Sequence, residues 1–360
     1  MSTAAKKEIK CVIWDLDNTI WDGVLLESDQ VTIKEGIIDC IKELDSRGIL
    51  HSIASKNNFD DAISKLKEFG IADYFLFPEI HFNPKSASIA NIKKNLNIGI
   101  DTFLFIDDDA FERDEVKFAY PEVECLDALD YDGLLSHRHL QPSFITEDSQ
   151  RRRLMYMEDQ RRNEREKTFQ GTTQQFLEQL QMKFAISEAE EYDLKRAEEL
   201  TIRTHQLNST GVTYDYEQLK QLLNSEYHKL YVCELTDRYG SYGKVGMTLI
   251  ETNERHWHIK LLLMSCRVMS RGVGTVLLSY IMNQAKTHGK KLLADFKRTD
   301  RNRQMYVAYK FAGFKEVSRA KDSEEDGLIL FENDLSVIPP FPPYLELELP
   351  KINITEKEEE

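Results

Sequence analysis

The sequence predicts two α/β units in tandem: an N-terminal parallel sheet with helices on both faces and no large cap, then an α+β unit. Three observations lead there. The chain has 360 residues, enough for two domains that each bury a core. From residue 9 to 140, short apolar β-branched runs alternate with amphipathic stretches, the pattern of strand–helix repeats and a parallel sheet. From about residue 182 the order changes to a strand, a long helix, three successive strands, and then helix, strand and helix.

In the first stretch, "IKCVIWDLD", "GILHSIAS", "YFLFPEI" and "DTFLFIDDD" read as strands. "GIIDCIKELDSRG" and "FDDAISKLKEFG" read as helices that end at Gly48 and Gly70. "IWDGVLLE" is expected to form a short hairpin. Residues 144–181 are charged, with no Pro and one Gly, and read as a helical connector. Beyond it come the strand "MKFAISEA", the helix "YDLKRAEELTIRTHQLN", and strands at "HKLYVCELTD", "GKVGMTLIET" and "HWHIKLLLMSC". A helix "TVLLSYIMNQAKTHG", a strand "KLLADF" and a helix "RNRQMYVAYKFAGF" follow, and the tail "PPFPPYLELELPKINITEKEEE" reads as mobile or as a surface strand. The expected divisions are 1–143, 144–181, 182–334 and 335–360.

Composition narrows the function. Apolar residues make up 41% and aromatics 10%, as in a folded globular protein. A net charge of −15 argues against general nucleic-acid binding, which needs clustered positive charge. The five cysteines are odd in number and form no CxxC pair, so neither a zinc site nor a disulfide framework is indicated. With no signal-like apolar segment and no run near the roughly 20 residues of a membrane span, a cytoplasmic protein is expected.

Four elements of the first half fit one chemical task. Asp15 and Asp17 follow a strand, Ser55 ends the next, Lys85 opens a helix, and Asp107, Asp108 and Asp109 end a further strand. In open parallel sheets the ligand site lies beyond the carboxyl ends of the strands. Several carboxylates converging there call for a compensating cation: the lysine, and a hard divalent ion held by oxygen ligands. A carboxylate in such a site can attack phosphorus. The competing explanation is that these aspartates merely cap the helices that follow them.

The order DxDxT, Ser, Lys, DD resembles the haloacid dehalogenase (HAD) phosphatase superfamily. That resemblance implies Asp15 as nucleophile, Asp17 as general acid/base, Thr19, Ser55 and Lys85 as phosphate-binding residues, and Asp15, Asp17, Asp107 and Asp108 around Mg²⁺. The longer stretches "WDLDNTIWDGVLLE", "ASKN", "FNPKSASI" and "FIDDDAFERDEV" resemble the FkbH-like branch of polyketide biosynthesis. So do "RAEELTIRTHQLNSTGVTY", "LLMSCRVMSRGVGTVLL" and "RNRQMYVAYKFAGF" in the second half. Membership would imply an acetyltransferase-like (GNAT-like) second domain. It would also imply loading of a glyceryl unit from 1,3-bisphosphoglycerate onto an acyl carrier protein, with loss of phosphate. Asp109 and His205 stand where that branch often has Asn.

"RVMSRGVGTVLL" is similar to the pyrophosphate-binding turn of GNAT acetyltransferases, although Met269 stands where that turn usually has Arg or Gln. In this reading Arg267, Gly272 and Gly274 hold a phosphopantetheine arm, with backbone N–H groups at a helix N-terminus cradling the anion. A glycine pair there also suits a plain tight turn. Cys266 precedes the turn; a thiol near a cation and a helix N-terminus is a better nucleophile, and it would carry the acyl group with His205 as base. A buried structural cysteine is the alternative. The basic segments 151–167 and 286–303 are either solvated helix faces or a surface that steers an acidic carrier, Arg298, Arg301 and Arg303 being the candidates. Two other functions fit the same residues: a small-molecule phosphatase whose second domain only covers the site, and an acetyl-CoA-dependent acetyltransferase.

Overall fold

The computed structural model describes residues 8–28, 30–317 and 327–350. The acidic end of the tail, 351–360, lies outside them. The chain divides into two compact units, Met1–Arg161 and Arg162–Glu360.

The first unit is built on a five-stranded parallel sheet. Its elements are β1 (Cys11–Trp14), the ribbon β2 (Trp21–Asp22) and β3 (Thr32–Ile33), α1 (Ile37–Ser46), β4 (Leu50–Ser55) and α2 (Phe59–Glu68). β5 (Glu79–Ile80), α3 (Lys85–Leu96), β6 (Phe103–Asp107), α4 (Ala110–Ala119) and β7 (Glu124–Asp127) complete it, before the short helix α5 (Glu147–Gln150). The strand order is β5-β4-β1-β6-β7, all pairs parallel. "YFLFPEI" shrinks to the two residues of β5, with Phe75 making only an isolated bridge to His51.

Side chains alternate across β1: Val12 and Trp14 pack with Ile37, Ile41 and Leu66 on one face, Cys11 and Ile13 with Ile89, Ile92 and Val116 on the other. Burial on both faces is why these strands read as unbroken apolar runs. The ribbon β2–β3 is all that separates β1 from α1 apart from its connecting loop, so no large cap intervenes; "IWDGVLLE" supplies only the first strand of the hairpin expected of it, and the partner strand Thr32–Ile33 lies beyond that stretch.

His51 shows how tightly this core specifies its polar groups. Fully buried on β4, it accepts at Nδ1 from Trp14 Nε1 (3.0 Å) and meets Ile41 O at Nε2 (3.0 Å). Burial drives its pKa down to about 3, so the ring is neutral in the folded protein. The unfolded chain binds the extra proton below about 6.5, so stability is expected to hold above that pH and to fall as pH drops toward 3. The slope from this group approaches about 1.4 kcal/mol per pH unit. Urea melts of the parent and of His51→Gln between pH 4 and 8 check it: the variant should lose that part of the slope.

The helix α6 (Arg152–Thr168) contains the division between the units, and α7 (Thr173–Gln179) follows. The basic segment here is more than a solvated face. Arg153 bonds Asp45 (3.0 Å), and buried Arg162 grips Asp237 with two donors (2.7 and 2.9 Å).

The second unit runs β8 (Met182–Glu188), α8 (Leu194–Arg203), α9 (Tyr216–Leu223), β9 (His228–Asp237), β10 (Gly240–Thr252) and β11 (His256–Met264). Then come α10 (Val273–Thr287), β12 (Lys291–Lys297), α11 (Arg303–Phe311), β13 (Lys315–Glu316), β14 (Leu328–Asn333) and β15 (Leu345–Glu348). The eight strands are ordered β13-β14-β12-β11-β10-β9-β8-β15. α10 and α11 cover one face through Val276, Leu277, Met305 and Tyr309; α8 and α9 cover the other through Leu194, Ala197 and Leu219. The tail does form a strand: β15 pairs parallel with β8 and joins the sheet. The α+β arrangement is the one the sequence predicts.

Candidate functional site

The first site grows from the carboxyl ends of β1, β4 and β6, which lie side by side. Asp15 follows β1 directly and its backbone N–H bonds Ile106 O (2.9 Å), fixing it beside the end of β6. Asp15, Asp107 and Ser55 are all buried. Lys85, the first residue of α3, is 4% exposed. Its Nζ donates to Asp15 Oδ1 (2.5 Å) and to Asp107 Oδ2. Carboxylate oxygens of Asp15, Asp107 and Asp108 lie within 4.8 Å of one another.

Burial pushes Asp15 up to about 7, with Lys85 opposing the shift and the neighbouring Asp107 adding to it. Asp107 is likewise raised by burial. Burial pulls Lys85 down, but the two aspartates outweigh that and leave it above the ordinary lysine value. One lysine therefore does not fully offset two buried carboxylates and a third close by. An all-oxygen, acidic donor set of this kind fits a hard ion such as Mg²⁺.

Asp17 does not join that trio. Its Oδ1 accepts from Trp21 Nε1 (2.8 Å) and Leu25 N (3.1 Å), and its Oδ2 from Asn57 Nδ2 (2.9 Å). Three donors point the carboxylate at the ribbon and the β4 loop rather than at the metal-fitting group, which departs from the ligand set expected of it. Thr19 is 1% exposed, and its hydroxyl has no hydrogen-bond partner among the described residues. A buried hydroxyl without a partner is costly, so the position suits a ligand that supplies one. Asp109 has a plainer role, capping α4 by accepting from Phe111 N (2.8 Å).

Sequence reasoning passed over Asn57 and Trp21. Asn57 is buried, reaches Asp17 and Ser55 Oγ (3.4 Å), and leaves its own Oδ1 without a partner among the described residues. The signal was present in "ASKN", where a polar residue follows the strand end, and in a tryptophan four residues after Asp17.

The second unit holds a separate site. β11 pairs with β12 only from His256 to Ile259, and beyond that point the segment Leu207–Ser209 bonds to both strands. Ser209 N donates to Leu262 O (2.9 Å), Met264 N to Leu207 O (2.8 Å), and Lys297 N to Ser209 O (3.0 Å). A pocket of about 530 Å³ opens there, lined among others by Leu207, Met264, Gly272, Gly274, Phe311 and Pro339. Gly272 has φ +79°, which favours glycine, and a Cβ on it would come within 2.5 Å of Tyr344 Oη, so that side chain would have to shift to admit one. A Cβ on Gly274 would meet nothing within 4 Å.

Cys266 is exposed, which removes the buried structural alternative, whereas Cys11, Cys40 and Cys233 are buried and Cys125 half-buried. It opens a six-residue 3-10 turn, Cys266–Arg271, so it does not abut α10. Arg267 Nη2 is directed at Tyr242 O (3.0 Å). His205, also exposed, lies two residues before Leu207 as Cys266 lies two after Met264. Leu207 and Met264 are hydrogen-bonded, and the bridge Asn208–Leu263 is antiparallel, so the two segments leave the bonded pair toward the same end. Arg298, Arg301 and Arg303 are exposed, with Arg298 5.8 Å over the Tyr306 ring and Arg301 3.7 Å from Asp300. Among the described residues no helix is long and apolar enough to cross a membrane.

No family model and no curated protein matches the chain. Solved structures do. The N-terminal part of BF1531 from Bacteroides fragilis, which contains a phosphatase domain and was solved with Mg, is 29% identical with a TM-score of 0.34. The match covers 38% of this chain and 41% of that one, so less than half of the BF1531 chain is spanned. The ribosomal-protein-S18-alanine N-acetyltransferase of Escherichia coli is 16% identical (TM-score 0.34), covering 43% of this chain and 95% of that one. A GNAT family acetyltransferase from Elizabethkingia anophelis with acetyl-CoA bound is 20% identical (TM-score 0.25), covering 32% and 81%.

Proposed function

We propose that the protein is a cytoplasmic Mg²⁺-dependent glyceryl transferase/phosphatase. It would move a three-carbon acyl unit from 1,3-bisphosphoglycerate to an acyl carrier protein, with loss of phosphate. The observation that carries the reading is the meeting of Asp15, Asp107 and Asp108, with buried Lys85 bridging the first two, on strand ends where the loop after Asp15 also carries the Thr19 hydroxyl, unpartnered among the described residues. Bound Mg²⁺ would offset the negative charge of these carboxylates and of a transferring phosphoryl group. Asp15 attacks phosphorus as the ester bond to the leaving oxygen breaks, and Asp17 gives that oxygen its proton. Water, deprotonated by Asp17, then releases phosphate from Asp15. Asp17 exchanges one of its three donors to do so, which makes Asn57 and Trp21 its positioning residues.

In the second unit the Cys266 thiolate attacks the acyl phosphate carbonyl and expels phosphate, with His205 as acceptor of the thiol proton. The carrier thiol then displaces Cys266 from the thioester. An apolar pocket of about 530 Å³ falls within the range of small-ligand sites and suits a phosphopantetheine arm entering past Gly272 and Gly274, whereas Arg267, which donates to Tyr242 O, is not among the lining residues.

The test is incubation with Mg²⁺, labelled 1,3-bisphosphoglycerate and an acyl carrier protein, followed by intact-mass measurement. A glyceryl adduct on the enzyme that disappears in Cys266→Ala, together with a loaded carrier, is expected. Absence of both removes the donor assignment; normal loading by Cys266→Ala removes the thiol assignment alone. A simple phosphatase is favoured by one fact, that every member of the carboxylate site belongs to the first unit. It predicts turnover of 3-phosphoglycerate with no thioester product.

A further inference from the structure

A second cluster of metal-ligating groups sits in the first unit, away from the carboxylate trio. Glu124 begins β7 in register with Leu104, whereas Asp127, at the other end of the strand, is in register with Asp107. Three strand residues separate the two levels, roughly 10 Å. At the Glu124 level, His137 Nε2 lies 3.0 Å from Glu124 Oε1 and His139 Nδ1 lies 2.8 Å from Oε2. The three ligand atoms fall within 4.8 Å of one another, and the imidazole rings meet edge to face with centroids 5.5 Å apart.

The scaffold beneath is fixed rather than loose. Leu134 and Leu140, which bracket the histidines, are fully buried. His139 O accepts from Ile9 N (2.9 Å), and Arg47 Nη1 donates to Leu135 O (2.9 Å). The His-x-His spacing in this turn sends both rings to one carboxylate while Arg138 between them stays exposed. All three ligating side chains are half-buried, which leaves one side open to solvent.

We propose that Glu124, His137 and His139 form a binding site for a divalent transition-metal ion of the zinc type, distinct from the Mg²⁺ site. Two imidazole nitrogens and one carboxylate oxygen are a three-ligand set that zinc completes with water. The nitrogen donors also separate the two sites chemically, because Mg²⁺ prefers the all-oxygen group at Asp15, Asp107 and Asp108. Without the ion, His137 Nδ1 accepts from His139 N (3.4 Å), which places the His137 proton on Nε2, toward Glu124. Ion binding moves each imidazole proton to its other ring nitrogen, and His137 gives up that long contact. The ion ties the β7 edge strand to the turn that follows it and has no reach to the phosphoryl site.

The test uses the full chain, stripped with a chelator and titrated with Zn²⁺ by calorimetry and with Co²⁺ by visible absorption. One equivalent of Zn²⁺ and the d–d absorption of four-coordinate Co²⁺ are expected, both retained in the Asp15→Asn/Asp107→Asn double variant. His137→Ala/His139→Ala, and separately the milder Glu124→Gln, should bind Zn²⁺ at least about 10-fold more weakly. Circular dichroism shows whether each variant is folded. Failure of the parent to bind Zn²⁺ stoichiometrically would overturn the proposal, as would unchanged affinity in folded Glu124→Gln and in the double histidine variant.

Discussion

Asp15→Asn is expected to lower phosphate-ester turnover by at least about 10⁴-fold with the fold intact. The amide is nearly isosteric, and its oxygen still accepts from Lys85 Nζ, the contact Asp15 makes at 2.5 Å. On the proposed mechanism, what it loses is the oxygen that would attack phosphorus. Because burial raises the Asp15 carboxyl to about 7, its ionised form is held at a cost when no metal is bound. The variant should therefore melt at the same temperature as the parent or slightly higher without Mg²⁺, and gain less when Mg²⁺ is added. Steady-state kinetics with thermal melts at several Mg²⁺ concentrations separate these effects. Turnover within 10-fold of the parent would remove Asp15 as nucleophile.

Lys85→Ala attacks the same site from the other side. It leaves Asp15 and Asp107, 5% and 1% exposed, facing each other without their shared cation. Removing one partner of a buried charge group costs about 3–5 kcal/mol. The remaining carboxyls lessen that loss by taking up protons, so the deficit should be larger at pH 8 than at pH 5.5. Millimolar Mg²⁺ should return part of the lost stability, since the ion replaces the missing positive charge. Urea melts at both pH values, with and without Mg²⁺, give the comparison; a deficit indifferent to pH and to Mg²⁺ would mean that lost packing alone explains it. Turnover should fall as well, because Lys85 holds Asp15 in place and, on the proposed mechanism, would also contact the phosphoryl oxygens.

Much of this site was legible because its residues are tied to strand ends. Asp15, Ser55 and Asp107 each terminate an apolar run that has to be a strand, and parallel order brings three such ends together. Lys85 was readable as the first residue of a helix. The orientation of the Asp17 carboxylate was not legible because it is set by Trp21 Nε1 and by Asn57, one across a tight turn and the other 40 residues away. Neither bond leaves a period in the sequence. The long helix read over "YDLKRAEELTIRTHQLN" stops at Arg203, since Leu207–Ser209 is drawn to β11 and β12 by backbone bonds that outweigh local helix preference. The tail was ambiguous for a similar reason: its alternating "YLELELP" becomes a strand because β8 offers an edge. Glu124, His137 and His139 meet only through the packing of a turn onto an edge strand, so no spacing rule finds them.

The stitch at Leu207–Ser209 has a consequence for how the pocket behaves. Asn302 Nδ2 bonds Asn208 O, and Ser209 is held by β11 on one side and β12 on the other. A connecting segment normally opens at little free-energy cost, but this one opens only when hydrogen bonds to two central strands break. Its amides accordingly share the protection of the sheet. The part of the pocket wall that Leu207 forms is thus held by the sheet behind it.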